Sequence, residues 1–239
     1  MRLLVSVRGP AEARAAVAGG ADVIDAKDPA RGALGPVRVD RLAAIRRAVG
    51  VARPVSAALG DACDDATVEV TAATAAGLAF VKLGFGGVTS DARAQRLALA
   101  ARRGAAGETA LVLVAYADWR RAGCLAPARL PAVAAATGAA GVLLDTAWKG
   151  VPLFTLQSPD AVAAWVAAVH AAGLFAALAG GLAGRDFAMA RRVGADLVGV
   201  RGAACVGGRK GRVSEARVAV LRSLVRATPA LPVGALPLP

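Results

Sequence analysis

Ala16-Val17-Ala18-Gly19-Gly20-Ala21-Asp22-Val23-Ile24-Asp25-Ala26-Lys27-Asp28 is the stretch that decides how this chain folds. An alanine-rich helical pattern runs into two glycines, and an apolar strand follows at once. Glycine reaches the left-handed backbone that closes a helix, so Gly19-Gly20 marks a helix-to-strand joint. The strand then ends in charge. The same joint recurs at Gly77-Leu78-Ala79-Phe80, Gly138-Ala139-Ala140-Gly141, Gly173-Leu174-Phe175 and Gly194-Ala195-Asp196.

Outward from these joints, apolar runs alternate with helical runs eight times. Strands are expected at Leu3–Val7, Asp22–Ala26, Pro54–Leu59, Phe80–Leu83, Ala110–Ala115, Gly141–Asp145, Phe175–Ala179 and Leu197–Val200. Helices are expected at Ala11–Ala18, Asp40–Ala48, Ala66–Ala76, Asp91–Arg103, Leu130–Thr137, Ala161–Ala171, Arg185–Arg192 and Ser214–Arg226. Near-continuous apolar strands between helices argue for a parallel sheet covered on both faces. The expectation is α/β: a single-domain (β/α)8 TIM-type barrel over residues 1–227. A doubly wound open sheet is the alternative, although no Gly-x-Gly-x-x-Gly follows the first strand. The segment Thr228–Pro239, with four prolines, reads as a separate tail.

Composition narrows the function. Hydrophobic residues make up 56% of 239 residues and charged residues 19%, which excludes a disordered chain. Aromatics at 4% are too few for single-strand nucleic-acid stacking platforms. There is one histidine, His170, and it falls mid-helix, so it reads as a structural residue. Cys63, Cys124 and Cys205 have neither zinc nor disulfide spacing. No metal and no cofactor are expected, and a reducing, cytoplasmic setting fits. The opening Met1–Arg8 reads as a first strand, not a signal peptide. Ala161–Gly184 lacks Asp, Glu, Lys and Arg, but its glycines divide it into a helix and a strand, so no membrane span is expected. The net charge of +12 comes from scattered arginines near helix ends, where cations favour the helix dipole. With no basic stripe this reads as a solvated surface. Charge alone does not separate non-specific nucleic-acid binding from attraction of phosphorylated small molecules. Of the two, a phosphorylated small molecule, not nucleic acid, is the partner expected.

In a barrel the chemistry gathers at the C-terminal strand ends. Three of only four lysines, Lys27, Lys82 and Lys149, sit at the ends of strands 2, 4 and 6. Arginine supplies fixed charge everywhere else, and only an amine can lose its proton or form a Schiff base. Asp25 and Lys27 share a strand face, and Asp145 ends strand 6. These residues suit imine formation with proton transfer by carboxylates, and simple ion pairing of Lys27 and Lys82 with Asp25 is the bland alternative. A phosphate site is expected from Gly180, Gly181, Arg201, Gly202 and Ala203 after strands 7 and 8, extended by the basic loop Gly207-Gly208-Arg209-Lys210. Ordinary helix-capping glycine is the alternative there.

Gly19–Pro29 with Gly32-Ala33-Leu34-Gly35 resembles the (5-formylfuran-3-yl)methyl phosphate synthase family of methanofuran biosynthesis. Phe80–Gly84, Ala115–Asp118, Leu144–Lys149, Leu178–Gly180 and Val198–Cys205 fit the same pattern in the same order. The resemblance spans the chain to about Val213. It implies a barrel lyase that condenses two glyceraldehyde 3-phosphates, losing phosphate and water. It also implies Lys27 as the Schiff-base lysine, Lys82 as proton acceptor, and Asp25, Asp145 and Lys149 as aids to proton transfer. A class I aldolase or isomerase on a phosphosugar, or a non-catalytic phosphate- or nucleic-acid-binding barrel, remains open on the residues alone, as does homo-oligomerisation.

Overall fold

The computed structural model describes residues 1–226. The tail at 228–239 lies outside the described residues, as does residue 227. In chain order the elements are β1 (Arg2–Val7), α1 (Pro10–Ala18), β2 (Val23–Ala26), α2 (Val39–Val49), β3 (Val55–Asp61), α3 (Asp65–Ala73) and β4 (Phe80–Gly84). Next come α4 (Asp91–Ala105), β5 (Ala110–Tyr116), α5 (Trp119–Ala122), α6 (Leu130–Ala136), β6 (Gly141–Asp145), α7 (Leu153–Leu156) and α8 (Pro159–Ala171). The described residues end with β7 (Phe175–Leu178), α9 (Phe187–Arg192), β8 (Leu197–Val200), the hairpin β9 (Cys205–Val206) and β10 (Arg212–Val213), and α10 (Glu215–Arg226).

Strands β1 to β8 pair in sequence order into a closed parallel barrel, β1 meeting both β2 and β8. Closure removes every sheet edge and excludes the open sheet. The strand period of two sorts the apolar residues into two cores. Leu3, Val5 and Val7 of β1 face the helices with Ile24, Val81 and Leu83, whereas Leu4 faces the bore with Val23, Val112, Val114 and Leu143.

Capping side chains start several helices. Asp64 accepts from the Thr67 N–H, Ser90 from Arg93 and Ser158 from Ala161. The paired arginines close α2, α4 and α9 at their negative ends. Differences from the sequence reading are local. Helix α3 stops at Ala73, and α9 is preceded by a 3-10 turn, Gly184–Asp186. The four-residue helices α5 and α7 and the β9–β10 hairpin are too short to leave a periodic signal. No described helix is long and apolar enough to cross a membrane, and Ala161–Gly184 divides into α8, β7 and a turn. His170 lies on the outer surface, its Nε2 2.8 Å from Asp196 Oδ2.

The barrel closes where β8 meets β1, and a buried ion pair sits on that seam. Arg201 follows β8, and Glu12 stands on α1. Every guanidinium N–H is engaged. Nε donates to the Arg209 carbonyl at 2.8 Å, and Nη1 to the Ser6 carbonyl at 2.8 Å and Glu12 Oε2 at 2.9 Å. Nη2 donates to Glu12 Oε1 at 3.3 Å and the Gly211 carbonyl at 3.1 Å. Burial pushes the Glu12 pKa up, but Arg201 and Arg8 outweigh it and leave it below the usual range. Removing one member of such a pair strands a buried charge. Arg201→Met should lower the unfolding free energy by about 3–5 kcal/mol in urea titrations. Adding Glu12→Leu should recover more than half of that loss.

Candidate active site

The C-terminal strand ends open into a cavity of about 300 Å3 that runs down the bore. Phe80 and Phe175 line it at the far end, rings edge to face with centroids 6.3 Å apart. Space exists because Ala177 of β7, Ala179 just past it and Gly199 of β8 line the cavity with little or no side chain. A Cβ on Gly199 would come no closer than 3.5 Å to any neighbour, so its emptiness is not forced by contact. Lys27, Lys82, Asp145 and Lys149 lie along the cavity, with Gly180, Gly181, Arg201, Gly202 and Ala203 also in its wall.

The charges divide in a specific way. Asp25, fully buried on β2, accepts Lys82 Nζ at 2.7 Å and the Ser6 hydroxyl at 2.8 Å on one oxygen. Its other oxygen accepts the Ser56 hydroxyl at 2.9 Å. Burial raises the Asp25 pKa, yet Lys82, Lys27 and these hydrogen bonds outweigh it, so the carboxylate stays ionised below its usual range. Asp145 is balanced likewise: burial raises it, and Lys149, Lys27 and the Thr146 N–H together lower it further. Its Oδ1 holds Lys149 Nζ at 2.6 Å and the Thr146 N–H at 2.7 Å. Ion pairing with Asp25 therefore describes Lys82 and not Lys27.

Lys27 sits one residue past β2, with its N–H extending the strand ladder to the Val7 carbonyl at 3.0 Å. Among the described residues its ammonium makes neither hydrogen bond nor ion pair, and only 8% of the residue is exposed. Burial and the neighbouring Lys82 charge pull its pKa down to about 7; Asp145 pushes it up and Lys149 down again. At about 1.36 kcal/mol per unit, that fall corresponds to some 4–5 kcal/mol of destabilised ammonium. A free amine exists here at neutral pH, which is the requirement for attack on a carbonyl.

The loop that carries Lys149 is fixed from both sides. Asp118 accepts the Ala147 and Trp148 N–H groups, each at 2.8 Å, and the Arg121 guanidinium lies 3.9 Å over the Trp148 ring. On the other side Leu153 N–H donates to the Gly180 carbonyl at 2.8 Å. Gly180 and Gly181 have φ of +92° and +68°. A Cβ on Gly180 would lie 2.8 Å from Thr146 Cγ2, so close approach to this loop alone requires glycine there.

The sequence reading enlisted Arg201 to contact phosphate, but no N–H of its guanidinium is left to do so. Among the described residues two cations in the cavity wall are unclaimed by a carboxylate, Lys27 and, from the basic loop, Arg209. Ser6 and Ser56 were also missed, although strand alternation puts both on the bore. Asp118 gave no signal beyond ending the Ala115–Asp118 motif. Among the described residues no group of His, Cys, Asp and Glu is placed to hold a metal ion.

A closed barrel with a lysine-lined cavity at its C-terminal strand ends defines a (β/α)8-barrel enzyme. A family profile described as 4-HFC-P synthase matches residues 3–222. The (5-formylfuran-3-yl)methyl phosphate synthase of Methanocaldococcus jannaschii is 37% identical over 235 residues, covering 95% of this chain and 100% of that one. The synthase of the same name from Methanopyrus kandleri is 38% identical over 218 residues, covering 88% and 92%. The chain belongs to the (5-formylfuran-3-yl)methyl phosphate synthase family and is an enzyme of that type. Orotidine 5'-phosphate decarboxylase from Pyrococcus horikoshii superposes with a TM-score of 0.63 at 14% identity, over 95% of this chain and 100% of that one, a likeness of fold.

The Lys27 amine should titrate visibly. Competitive acetylation, read by peptide mass mapping, should show its reactivity rising with a midpoint near pH 7. Because its folded pKa lies below the unfolded value of 10.5, the unfolded chain binds more protons between the two. The Lys27 contribution to stability should therefore rise with pH from about 7 to 10.5, and a Lys27→Met variant should lack that slope.

Proposed function

We propose that this enzyme condenses two molecules of glyceraldehyde 3-phosphate into (5-formylfuran-3-yl)methyl phosphate, through an imine on Lys27, as a lyase of methanofuran-type cofactor biosynthesis in the cytoplasm. The observation that carries the reading is the unpaired Lys27 amine, with its pKa near 7, facing the cavity. Lys27 Nζ attacks the aldehyde carbon of one triose phosphate, and water leaves. The resulting iminium acidifies the adjacent C–H. Beside Lys27, Lys82 passes a proton to Asp25 across their 2.7 Å hydrogen bond and, as the free amine, takes the C–H proton, and the enamine attacks the aldehyde of the second triose. Asp145 and Lys149, hydrogen-bonded at 2.6 Å, exchange protons with the hydroxyl groups that depart or cyclise. Loss of phosphate and water then leaves the aromatic furan, which drives the sequence to completion. The apolar lower cavity, with its two phenylalanines, suits a flat ring better than a hydrated open-chain sugar.

Borohydride reduction in the presence of glyceraldehyde 3-phosphate should attach the reduced triose to Lys27, located by peptide mapping. The unreduced reaction should develop furan absorbance, whereas an aldolase would release a phosphosugar without it. Lys27→Ala should lose about 10³-fold or more in kcat, as when one member of a catalytic constellation is removed. Lys82→Met should lose about 10²–10⁴-fold, the range for a proton-transfer group. Folded protein that traps no triose on Lys27 would overturn the imine mechanism.

A further inference from the structure

Three buried carboxylates in and beside the cavity are all paired: Asp25 holds Lys82, Asp145 holds Lys149, and Glu12 holds Arg201 together with Arg8. Two cations remain. One is Lys27, half neutral near pH 7. The other is Arg209, which cannot shed its proton.

Arg209 is half-buried in the cavity wall and forms no ion pair among the described residues. Its Nη1 donates to the Pro29 carbonyl at 2.6 Å and its Nη2 to the Gly32 carbonyl at 2.7 Å, so the guanidinium is pinned between the loops after β8 and β2. Those two bonds leave N–H groups unspent, including Nε. The backbone beneath it is fixed too, since Arg201 Nε binds the Arg209 carbonyl. Arg209 also packs against Gly202: a Cβ on Gly202 would lie 3.7 Å from the Arg209 nitrogen. A half-buried positive charge without a counter-ion is costly unless an anion completes it.

We propose that Arg209 is the charge partner of the substrate phosphate, held beside the Gly202-Ala203 backbone, and that Arg201 is a positioning residue that sets Arg209 over the cavity. The identity of the anion as a triose phosphate rests on the function proposed above; the site itself requires only a phosphate group. Bidentate guanidinium–phosphate bonding gives direction as well as charge, so lysine would be an incomplete substitute.

Inorganic phosphate is the probe. Phosphate binding, measured by calorimetry on the intact enzyme, should weaken at least ten-fold in Arg209→Gln and by a smaller factor in Arg209→Lys. KM for glyceraldehyde 3-phosphate should rise in parallel. Trapping of unphosphorylated glyceraldehyde on Lys27 should be unchanged, because that sugar has nothing for Arg209 to hold. In unmutated protein, saturating phosphate should protect Arg209 from phenylglyoxal, read by peptide mapping, which keeps the test valid if a variant misfolds. Equal phosphate affinity in folded Arg209→Gln, or unprotected Arg209, would overturn the assignment. Failure to trap any sugar on Lys27, with phosphate binding still dependent on Arg209, would instead refute the imine mechanism and leave this site standing.

Discussion

The buried contact between Lys82 and Asp25 decides what every other charge in the bore can do. Two opposite charges in contact at an effective dielectric near 20 attract by several kcal/mol, and Ser6 and Ser56 fill the remaining acceptor positions of Asp25. A carboxylate so occupied cannot also hold Lys27. The neighbouring ammonium of Lys82 then acts on Lys27 by repulsion, in the same direction as burial. Had Asp25 paired with Lys27, its attraction would have kept that amine protonated. The pair thus separates two chemically identical side chains into an ion and a nucleophile.

The second constraint is the seam. A barrel must join its last strand to its first, and here the backbone pairing of β8 with β1 ends at a guanidinium that binds one carboxylate and three backbone carbonyls. Two of those carbonyls, of Arg209 and Gly211, belong to the β9–β10 hairpin loop. The same guanidinium therefore ties the end of the seam to the loop that carries Arg209. The loop is tied to the frame by the same residue that seals the sheet, so its short strands need little stability of their own.

Much of this was legible in the sequence, for physical reasons. Glycine joints and strand-length apolar runs are local signals, and each strand of the barrel could be located from them to within a residue or two. Lys27, Lys82, Asp145 and Lys149 were found because strand ends are predictable once the fold is known. What could not be read was who pairs with whom. Asp25 meets Lys82 across 57 positions, and Arg201 meets Glu12 across 189. Such pairings depend on strand stagger and on closure, which no local pattern encodes. Arg201 looked available because its partner is far away in the chain, and Arg209 was read only as part of the basic loop that extends the phosphate site.

The division of labour between arginine and lysine follows from the same physics. The arginines of this chain repeatedly serve as stitches to backbone carbonyls: Arg53 to Ala21, Arg191 to Leu224, Arg217 to Cys205 and Arg209 to Pro29. A planar guanidinium with several donors suits that task, satisfying carbonyls at helix and loop ends that would otherwise go unpaired. It is useless where a proton must be given up. The lysines concentrate where the proton is the point, with three of the four lining one cavity. In a chain of composition this basic, the rare cation is the informative one, because replacing it with the common one would keep the charge and end the chemistry.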